Sequence, residues 1–553
     1  MQFETKRNAE VVTVKSVTRK EVNAFLNNAK AESSKTRSGN GALKFSSSGD
    51  SFTDQFTKAG KYKEPRKFSQ IAQDCEMLWG EDPLKCVKFA LFLRTIPRTV
   101  NLPDGTKTEL PQKGTELKHE AIMRMLWLHD KSPQAFWNNI LLFVSLGSWH
   151  DVFTMLQYDL SYNGWKDRKL DWEKFGELIL AGLNNKNTCD LIKKYLPQIK
   201  SRSQATTIDA QSNNAIAKWI CSLVFGNKES ASSYKAYRKI KTSGTAHDWQ
   251  KLISQKRMSE LDFNKIHGRA LSILVKSKFL KNQGLSDKYS AWITAPTTTE
   301  VKYTGFVHEL FEGRWQGDKN NEATINKQFD TLVQKARTNE VTDLIVVRDT
   351  SGSMSSICPG TKSSCLDVGK AIALYFSEFL QGTFAGHWIE FNSDAKLQKW
   401  VGQTPVDKWK NDKSSFYGGT DFQSVIKLFV KMKRDGVPES DFPSGILCVS
   451  DGEFNKTQLN DTNVEAAKSS LRGAGFSKAY VDNFIIVLWN LQNSHYGKGS
   501  GEKFETGKDT KGVYYFGGYS ASVVSFISGK IMNTYELMEA ALSQEVLDMV
   551  EIG

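Results

Sequence analysis

The sequence lacks any apolar run long enough to span a membrane. Its purely apolar stretches, such as 140–144 and 484–489, are far shorter than the roughly 20 residues that a transmembrane helix needs. The first twenty residues mix charges with short apolar stretches and contain no secretory h-region. These absences predict a soluble, cytoplasmic protein with no membrane partner.

Cysteine and histidine are also scarce. The seven Cys are an odd number without a CxxC pair, which argues against a disulfide framework and against a zinc site. The eight His show no metal-ligand spacing. The glycine-rich stretch 497–503 lacks the Gly-Lys-Ser/Thr ending of a phosphate-binding loop, and no nucleophile elbow is present. We therefore expect a protein that is not an enzyme.

Charge is unevenly distributed along the chain. The total of 74 Lys and Arg against 61 Asp and Glu leaves a net charge of +13. Residues 341–553 hold 21 basic and 25 acidic side chains, whereas residues 1–340 hold 53 basic and 36 acidic ones. This asymmetry indicates different partners for the two parts, and nucleic acid is the commonest partner of a basic part. The alternative is a lysine-rich surface that only aids solubility.

A chain of 553 residues is long enough for two to four domains. Residues 1–60 predict a weakly ordered basic arm, because the stretch 33–52 is rich in Ser and Gly. Residues 61–300 show helical spacing of apolar side chains, and residues 301–340 predict a connecting helical segment. In residues 341–553, short apolar runs alternate with helical stretches. The predicted fold class is multidomain: an all-α helical array followed by an α/β domain with a doubly wound, Rossmann-like sheet.

Capping residues mark where helices begin in the first part. Asp82-Pro83 and Ser132-Pro133 each place a capping side chain before a proline at the first helical position. The stretch 148–151 resembles a capping box. Helices of this length joined by short turns predict a stacked array, although no fixed-period repeat is visible. Further helices are expected over 172–183, 190–196, 214–225, 234–241, 247–256 and 262–281.

Polar loops follow the expected strands of the second part. The first strand leads into an Asp-x-Ser-x-Ser loop at 349–353. Another leads into Asp451, and Thr420 lies just before an expected helix. Because ligands collect at the carboxyl ends of parallel strands, we expect these loops to meet at one edge of the sheet. Strands are expected at 344–347, 388–391, 446–449 and 484–489, and helices at 366–380, 422–432 and 464–471.

These side chains suit a hard divalent cation. Mg²⁺ prefers octahedral oxygen ligands at about 2.0–2.1 Å and keeps several waters. Two carboxylates and three hydroxyls would leave an open position for an external acidic ligand or water. The alternative is that the loops are ordinary polar turns. The predicted ligands are Asp349, Ser351, Ser353, Thr420 and Asp451.

This pattern resembles the metal-ion-dependent adhesion site of von Willebrand factor A domains, and residues 341–553 look like one such domain. The resemblance implies a cofactor, Mg²⁺ or another divalent cation. It also implies that Asp349, Ser351, Ser353 and Thr420 lie around the ion and that Asp451 acts mainly through water.

A wider resemblance covers most of the chain. The segments 119–155, 190–203 and 247–292 resemble the helical half of a family that carries only an unknown-function label, whose members pair that half with a C-terminal A domain. The arrangement is similar to that of TROVE-domain proteins, the Ro ribonucleoprotein family, in which a ring of HEAT-like repeats is closed by an A domain. The resemblance implies binding of small noncoding or single-stranded RNA, with the A domain closing or regulating the helical array.

Three basic clusters are candidate RNA contacts. Lys and Arg neutralise phosphates, and an aromatic ring can stack on an unpaired base. For each cluster taken alone, a solvated helix face is the alternative, and the aromatic ring is then a core residue. The candidates are Lys193, Lys194, Lys200 and Arg202 in the first cluster, Tyr237, Arg238, Lys239 and Lys241 in the second, and Lys256, Arg257, Lys265 and Arg269 in the third.

Two other functions fit the same residues. A protein-interaction scaffold would bind a partner carboxylate at the metal held by Asp349, Ser351 and Ser353. An adaptor for an ATPase-driven machine would need its motor in another chain, because no nucleotide site is visible in this sequence.

Overall fold

The chain changes from helices to a sheet near residue 344. In the computed structural model of the protein, the carboxyl-terminal part is a mixed sheet with helices, and the part before it is mainly helical. No helix among the described residues has the length and apolar character needed to cross a membrane. The structure describes residues 35–37, 43–45, 48–60, 65–95, 99–103, 106–109, 114–115, 117–164, 166–201, 203–226, 230–244, 248–298, 300–303, 305–337, 343–414, 418–451, 463–492, 512–519 and 533–553.

The helical part begins with the caps that the sequence predicts. Asp82 Oδ1 accepts the N–H of Lys85 at 2.9 Å, and Ser132 Oγ accepts that of Ala135 at 3.4 Å. The helices are α1 Ser51–Thr57, α2 Phe68–Glu81, α3 Pro83–Arg94, α4 Lys118–Lys131, α5 Pro133–Leu146, α6 Trp149–Asn163, α7 Trp172–Asn184, α8 Cys189–Tyr195, α9 Ile208–Phe225, α10 Ala231–Ser243, α11 Asp248–Ser254, α12 Gly268–Lys276, α13 Phe279–Asn282, α14 Ser286–Thr294, α15 Val307–Leu310 and α16 Lys319–Arg337.

Two antiparallel hairpins accompany these helices. They are β1 Lys35–Arg37 with β2 Leu43–Phe45, and β3 Thr99–Asn101 with β4 Lys107–Glu109.

Within the described ranges, the sheet of the second part has six strands in the order β10-β9-β8-β5-β6-β7. Its pairs are parallel except for β6 with β7, which is antiparallel at one edge. The central strands β5 and β8 are buried along their whole length, as expected for a parallel sheet covered on both faces. The strands are β5 Leu344–Asp349, β6 His387–Phe391, β7 Ala395–Lys399, β8 Gly445–Ser450, β9 Ile485–Asn490 and β10 Val513–Gly517.

The two faces of the sheet belong to different cores. The face bearing Ile345 and Val347 packs against the helices over 422–434 and 463–473. The opposite face, bearing Leu344 and Val346, joins one continuous core that extends back through the helical part to Phe52. The remaining helices are α17 Cys365–Phe376, α18 Pro405–Lys410, α19 Phe422–Arg434, α20 Asn463–Gly473, α21 Lys478–Asn483 and α22 Thr534–Leu542.

The structure confirms the expected strands, corrects two other expectations and adds two strands. Residues 51–57 form a helix with buried Phe52 and Phe56, so the predicted weakly ordered arm does not extend to residue 60. The single helix expected over 262–281 is broken into short pieces around α12 and α13. The edge strands β7 and β10 were not predicted from the sequence. Much of arm 1–60 lies outside the described residues.

Candidate metal centre

Asp349 ends strand β5 with a fully buried carboxylate. Its Oδ1 accepts the backbone N–H of Ser351 at 2.8 Å, and its Oδ2 accepts the hydroxyl of Ser450 at 2.5 Å. Ser450 ends β8, the neighbour of β5 in the sheet. This hydrogen bond ties the two strand ends together and brings the next residue, Asp451, to the same edge.

Asp451 has a buried oxygen for which the described part of the chain offers no hydrogen-bond partner. No donor among the described residues reaches its Oδ1. Burial, followed by the negative charge of Asp451, raises the pKa of Asp349 to about 6. A cation would stabilise both groups. It would satisfy the buried Asp451 oxygen that lacks a donor, and it would favour the ionised form of the Asp349 carboxylate.

The two serine hydroxyls of the Asp-x-Ser-x-Ser loop lie side by side. Ser351 Oγ and Ser353 Oγ are 3.1 Å apart. The short 3₁₀ helix Gly352–Ser355 holds this turn. Ser351 is buried and Ser353 is exposed, so the cluster opens to solvent on the Ser353 side.

The loop after β6 brings Thr420 to this edge of the sheet. The carbonyl of Asn392 accepts the N–H of Asp421 at 2.8 Å, and the Asn392 side chain donates to Thr350 Oγ1 at 3.2 Å. Thr350 lies between Asp349 and Ser351 in the sequence. Asn392 therefore connects the loop that carries Thr420 to the loop that carries the serines, and Thr420 is itself buried.

A close backbone approach at Gly418 supports the Thr420 loop. Ser393 Oγ accepts the N–H of Gly419 at 2.8 Å. Gly418 has φ +97°, and a Cβ added there would lie 2.8 Å from the same Ser393 oxygen. Glycine is required because the backbone is left-handed and because a side chain would disturb the Ser393 contact.

If the candidate site holds Mg²⁺, Gly418→Ala is expected to lower its affinity for the ion about tenfold or more, since the shifted loop would move Thr420. Gly436→Ala is the matched control: its φ is +93°, but an added Cβ meets nothing within 4 Å. Both variants should lose about 1–2 kcal/mol of stability from the positive φ. Isothermal titration with Mg²⁺ distinguishes the two variants by their affinity for the ion. Equal affinities would contradict the role of the Gly418 loop in positioning Thr420.

A buried ionic cluster lies behind the site. Arg348 Nη1 lies 2.8 Å from Asp412 Oδ2, and Lys370 Nζ lies 3.2 Å from the same oxygen. Burial alone would raise the pKa of Asp412. The positive charges of Arg348 and Lys370 outweigh this effect and hold the pKa below its ordinary value. Asp412 precedes Thr420 in the sequence, and these ion pairs hold Asp412 against Arg348 of strand β5.

The site residues that sequence reasoning missed lie beside those it found. Ser450 and Asn392 connect the loops, and the sequence signal for both is a polar residue at the end of an apolar strand. Arg348 is a lone cation inside an apolar strand, which was a visible sign of a buried partner. Its partner Asp412 carries no comparable signal.

The donor set fits a hard cation. In the described ranges, His, Cys, Asp and Glu side chains do not gather in groups of three or more that could hold a metal ion. The five candidates differ from such a group, because they comprise two carboxylates and three hydroxyls. The unpartnered Asp451 Oδ1 is the observation that favours an ion there.

The first two basic clusters lie together in the structure. Helix α10 packs on α8, and a Cβ on Gly244 would touch the backbone of Lys194. In the part of the chain that the structure describes, Lys193 pairs with Asp190 at 3.6 Å, while Lys194, Lys200, Arg238 and Lys239 have no carboxylate within ion-pair distance. Arg202 lies outside the described residues.

Two members of the second cluster make hydrogen bonds within the protein. Tyr237 is 1% exposed and donates its hydroxyl to the carbonyl of Pro197 at 3.0 Å, so it packs in the core and cannot stack on a base. Lys241 Nζ donates to the carbonyl of Leu196 at 2.5 Å, which caps helix α8.

The third cluster is largely neutralised by neighbouring carboxylates. Arg257 pairs with Glu260, and Arg269 pairs with Glu309. Lys265 lies 3.9 Å from Asp262. Lys256, the fourth member, is exposed and has φ +59°. The apolar residues next to this cluster, such as Phe263 and Leu271, belong to a separate core from the residues next to the other two clusters.

A family model described as a domain of unknown function (DUF7788) matches residues 343–549. The matched range begins at the first strand of the sheet. No curated protein matches the chain.

Proposed function

We propose that the chain is a non-enzymatic binding protein whose residues 341–553 are a von Willebrand factor A domain that binds a partner protein through Mg²⁺. Asp349, Ser351, Ser353, Thr420 and Asp451 would hold the ion. The observation that carries this proposal is the buried Asp451 Oδ1, which has no hydrogen-bond partner among the described residues and lies near the buried Asp349 carboxylate.

The strand order supports the assignment to this domain type. Four parallel pairs with a single antiparallel edge strand create a sheet whose loops 349–353, 418–421 and 450–451 lie at one edge. Side-chain hydrogen bonds from Ser450 to Asp349 and from Asn392 to Thr350 connect these loops. Such support keeps the oxygen donors in position before any ligand arrives.

The side chains of the site would coordinate a divalent cation and, through it, an anionic group of a partner. A bound divalent cation supplies Lewis acidity and an exchangeable position for an anionic oxygen. Asp349 and Asp451 provide the negative charge, and the hydroxyls of Ser351, Ser353 and Thr420 add neutral oxygens. The exposed side of the cluster at Ser353 is where a partner carboxylate would reach the ion.

Affinity capture from a native extract tests the proposal. The wild-type chain and Asp349→Ala are each incubated with Mg²⁺ or with EDTA, and every arm is repeated with ribonuclease. We expect one protein complex that forms with wild type in Mg²⁺ and survives ribonuclease, and that is absent in EDTA and in Asp349→Ala. A complex that is indifferent to EDTA would contradict the proposal.

RNA is the second candidate ligand, and the joined first and second clusters favour it. Residues 186–244 contain 11 basic and 3 acidic side chains. Lys194, Arg238 and Lys239 carry no ion pair among the described residues. This face, which we call the α8–α10 face, would bind the phosphates of RNA.

Replacing Lys194, Arg238 and Lys239 together by Gln is expected to reduce the salt dependence of RNA binding. Each phosphate contact to single-stranded RNA contributes a slope of about −0.7 in log K against log salt concentration, so three lost contacts should reduce the slope by about 2. The control replaces Lys251, Arg257 and Lys265, which pair with nearby acids. Filter binding of an oligouridine between low and moderate salt measures both slopes, and equal slopes would exclude the α8–α10 face.

A further inference from the structure

Two buried cysteines lie side by side between helices α2 and α3. Cys75 on α2 is 1% exposed and Cys86 on α3 is 3% exposed. Cys86 Sγ lies 3.8 Å from the carbonyl oxygen of Cys75, and the two thiol groups hydrogen-bond to each other. The two helices pack together, and both cysteines belong to the main core. The sulfur atoms are therefore neighbours, which is the first geometric requirement for a disulfide.

A buried guanidinium lies against the sulfur of Cys75. Arg124 on helix α4 has a side chain that is 1% exposed, and its Nη1 lies 3.5 Å from Cys75 Sγ. Its other terminal nitrogen, Nη2, donates to Glu120 Oε1 at 2.9 Å. Arg66 Nη1 lies 2.9 Å from the same Glu120 oxygen, so two guanidiniums share this carboxylate. Packing of a buried cysteine as a small apolar side chain does not require a cation at its sulfur, whereas a thiolate is stabilised by one.

The two thiols differ in how readily they ionise. Burial raises the pKa of Cys75, and the charges of Glu120 and Asp74 act in the same direction. The hydrogen bond from Cys86 and the charge of Arg124 outweigh these effects and hold the pKa of Cys75 below its ordinary value. The same hydrogen bond, together with burial, raises the pKa of Cys86. Cys75 is therefore the nucleophilic sulfur of the pair, and Cys86 keeps its proton.

We propose that Cys75 and Cys86 are a redox-active pair that hydrogen peroxide oxidises to a reversible disulfide. The Cys75 thiolate attacks one peroxide oxygen, so that an S–O bond forms, the O–O bond breaks, and the departing hydroxide takes up a proton to become water. Cys86 then attacks the sulfur of the resulting sulfenic acid. An S–S bond forms, the S–O bond breaks, and the hydroxyl group leaves as a second water with the proton of the Cys86 thiol.

The arrangement favours a disulfide as the end product. A sulfenic acid at Cys75 would form next to the Cys86 thiol, which is the position of a resolving cysteine. Hydrogen peroxide is close to water in size, so local openings of the native chain admit it to a buried site. A dithiol reductant reverses the reaction by thiol–disulfide exchange. The pair uses none of the five candidate metal ligands, so this inference does not depend on a bound cation.

Peptide mapping of the full wild-type chain tests the inference. The folded chain is treated with hydrogen peroxide, the remaining thiols are alkylated, and the chain is digested with trypsin without reductant. Because trypsin cleaves after Lys85, a Cys75–Cys86 disulfide joins peptide 68–85 to peptide 86–88. A parallel sample receives dithiothreitol after the peroxide. Cys448, which is buried in strand β8, is the internal control.

We expect the joined peptides to form at least tenfold faster than Cys448 is oxidised, and to disappear after dithiothreitol. Cysteines 75 and 86 that remain thiols would overturn the inference, as would a Cys75 that oxidises no faster than Cys448. This measurement does not depend on a variant folding.

Two serine variants test the separate roles of the two sulfurs. In Cys86→Ser, we expect Cys75 to stop at the sulfenic acid, which dimedone traps. In Cys75→Ser, Cys86 should remain a thiol under the same peroxide treatment. Circular dichroism checks that both variants are folded. Equal yields of trapped sulfenic acid at Cys75 in wild type and in Cys86→Ser would show that Cys86 does not resolve it, and would overturn the inference.

Discussion

Mg²⁺ at a free concentration 100 times its Kd is expected to raise the free energy of unfolding of the wild-type chain by about 2.7 kcal/mol. The reason is that the proposed site would bind the ion through the folded arrangement of Asp349, Asp451 and Thr420, which the unfolded chain lacks. Asp349→Asn should abolish this increase. Chemical denaturation with Mg²⁺ or EDTA measures it, and Asp394→Asn, an exposed acid in the loop after β6, is the control.

Without metal, Asp349→Asn is expected to raise the free energy of unfolding at neutral pH instead of lowering it. The pKa of Asp349 is raised from 3.8 to about 6 by burial and by Asp451, so the folded state binds its proton more tightly than the unfolded state. Stability of the metal-free wild type should therefore fall by about 3 kcal/mol as the pH rises from about 4 to about 6. Asp349→Asn should lack that pH dependence. A variant that is less stable than wild type in EDTA at neutral pH would contradict this account.

Asp412→Ala is expected to cost about 3–5 kcal/mol in the free energy of unfolding, because it leaves the buried Arg348 guanidinium without its carboxylate. Lys370 would lose the same partner. The stacking of Arg348 on Trp388, with the guanidinium carbon 5.1 Å from the ring centroid, cannot replace an anion. Urea denaturation measures the loss.

The matched control removes all three charges of the cluster. In the triple variant Arg348→Met, Lys370→Met, Asp412→Leu, neither cation is left without its carboxylate, and most of the stability should return. A loss of less than 1 kcal/mol in the single variant would show that water or another group compensates Arg348.

The part of the candidate site that could be predicted from the sequence is the part that local pattern encodes. Asp349, Ser351 and Ser353 follow an apolar strand directly, and Asp451 follows another. Parallel strands bring their carboxyl ends to one edge, so these residues could be grouped before the structure was known. The supporting bonds from Ser450 and Asn392 could not be assigned, because each depends on which strands are neighbours.

Which residues of the basic clusters are exposed could not be predicted from the sequence, because exposure depends on tertiary packing. The spacing of Tyr237, Arg238 and Lys239 is the same whether the ring faces a core or a solvent-exposed ligand. The tertiary structure buries Tyr237 against Pro197 and leaves the two cations outside. Sequence distance also hides the ion pairs, since Arg269 and its partner Glu309 lie 40 residues apart.

The sequence by itself determined the order of a basic helical part and an acidic α/β part, together with the oxygen-rich loops after two strands. Charge count, apolar periodicity and strand-end position are local properties that survive in any tertiary arrangement. Only the tertiary structure decided that one core joins the two parts and that Asn139 holds the backbone of Glu551, 412 residues away. Contacts at that separation depend on how helices pack against each other, and no local periodicity records that packing.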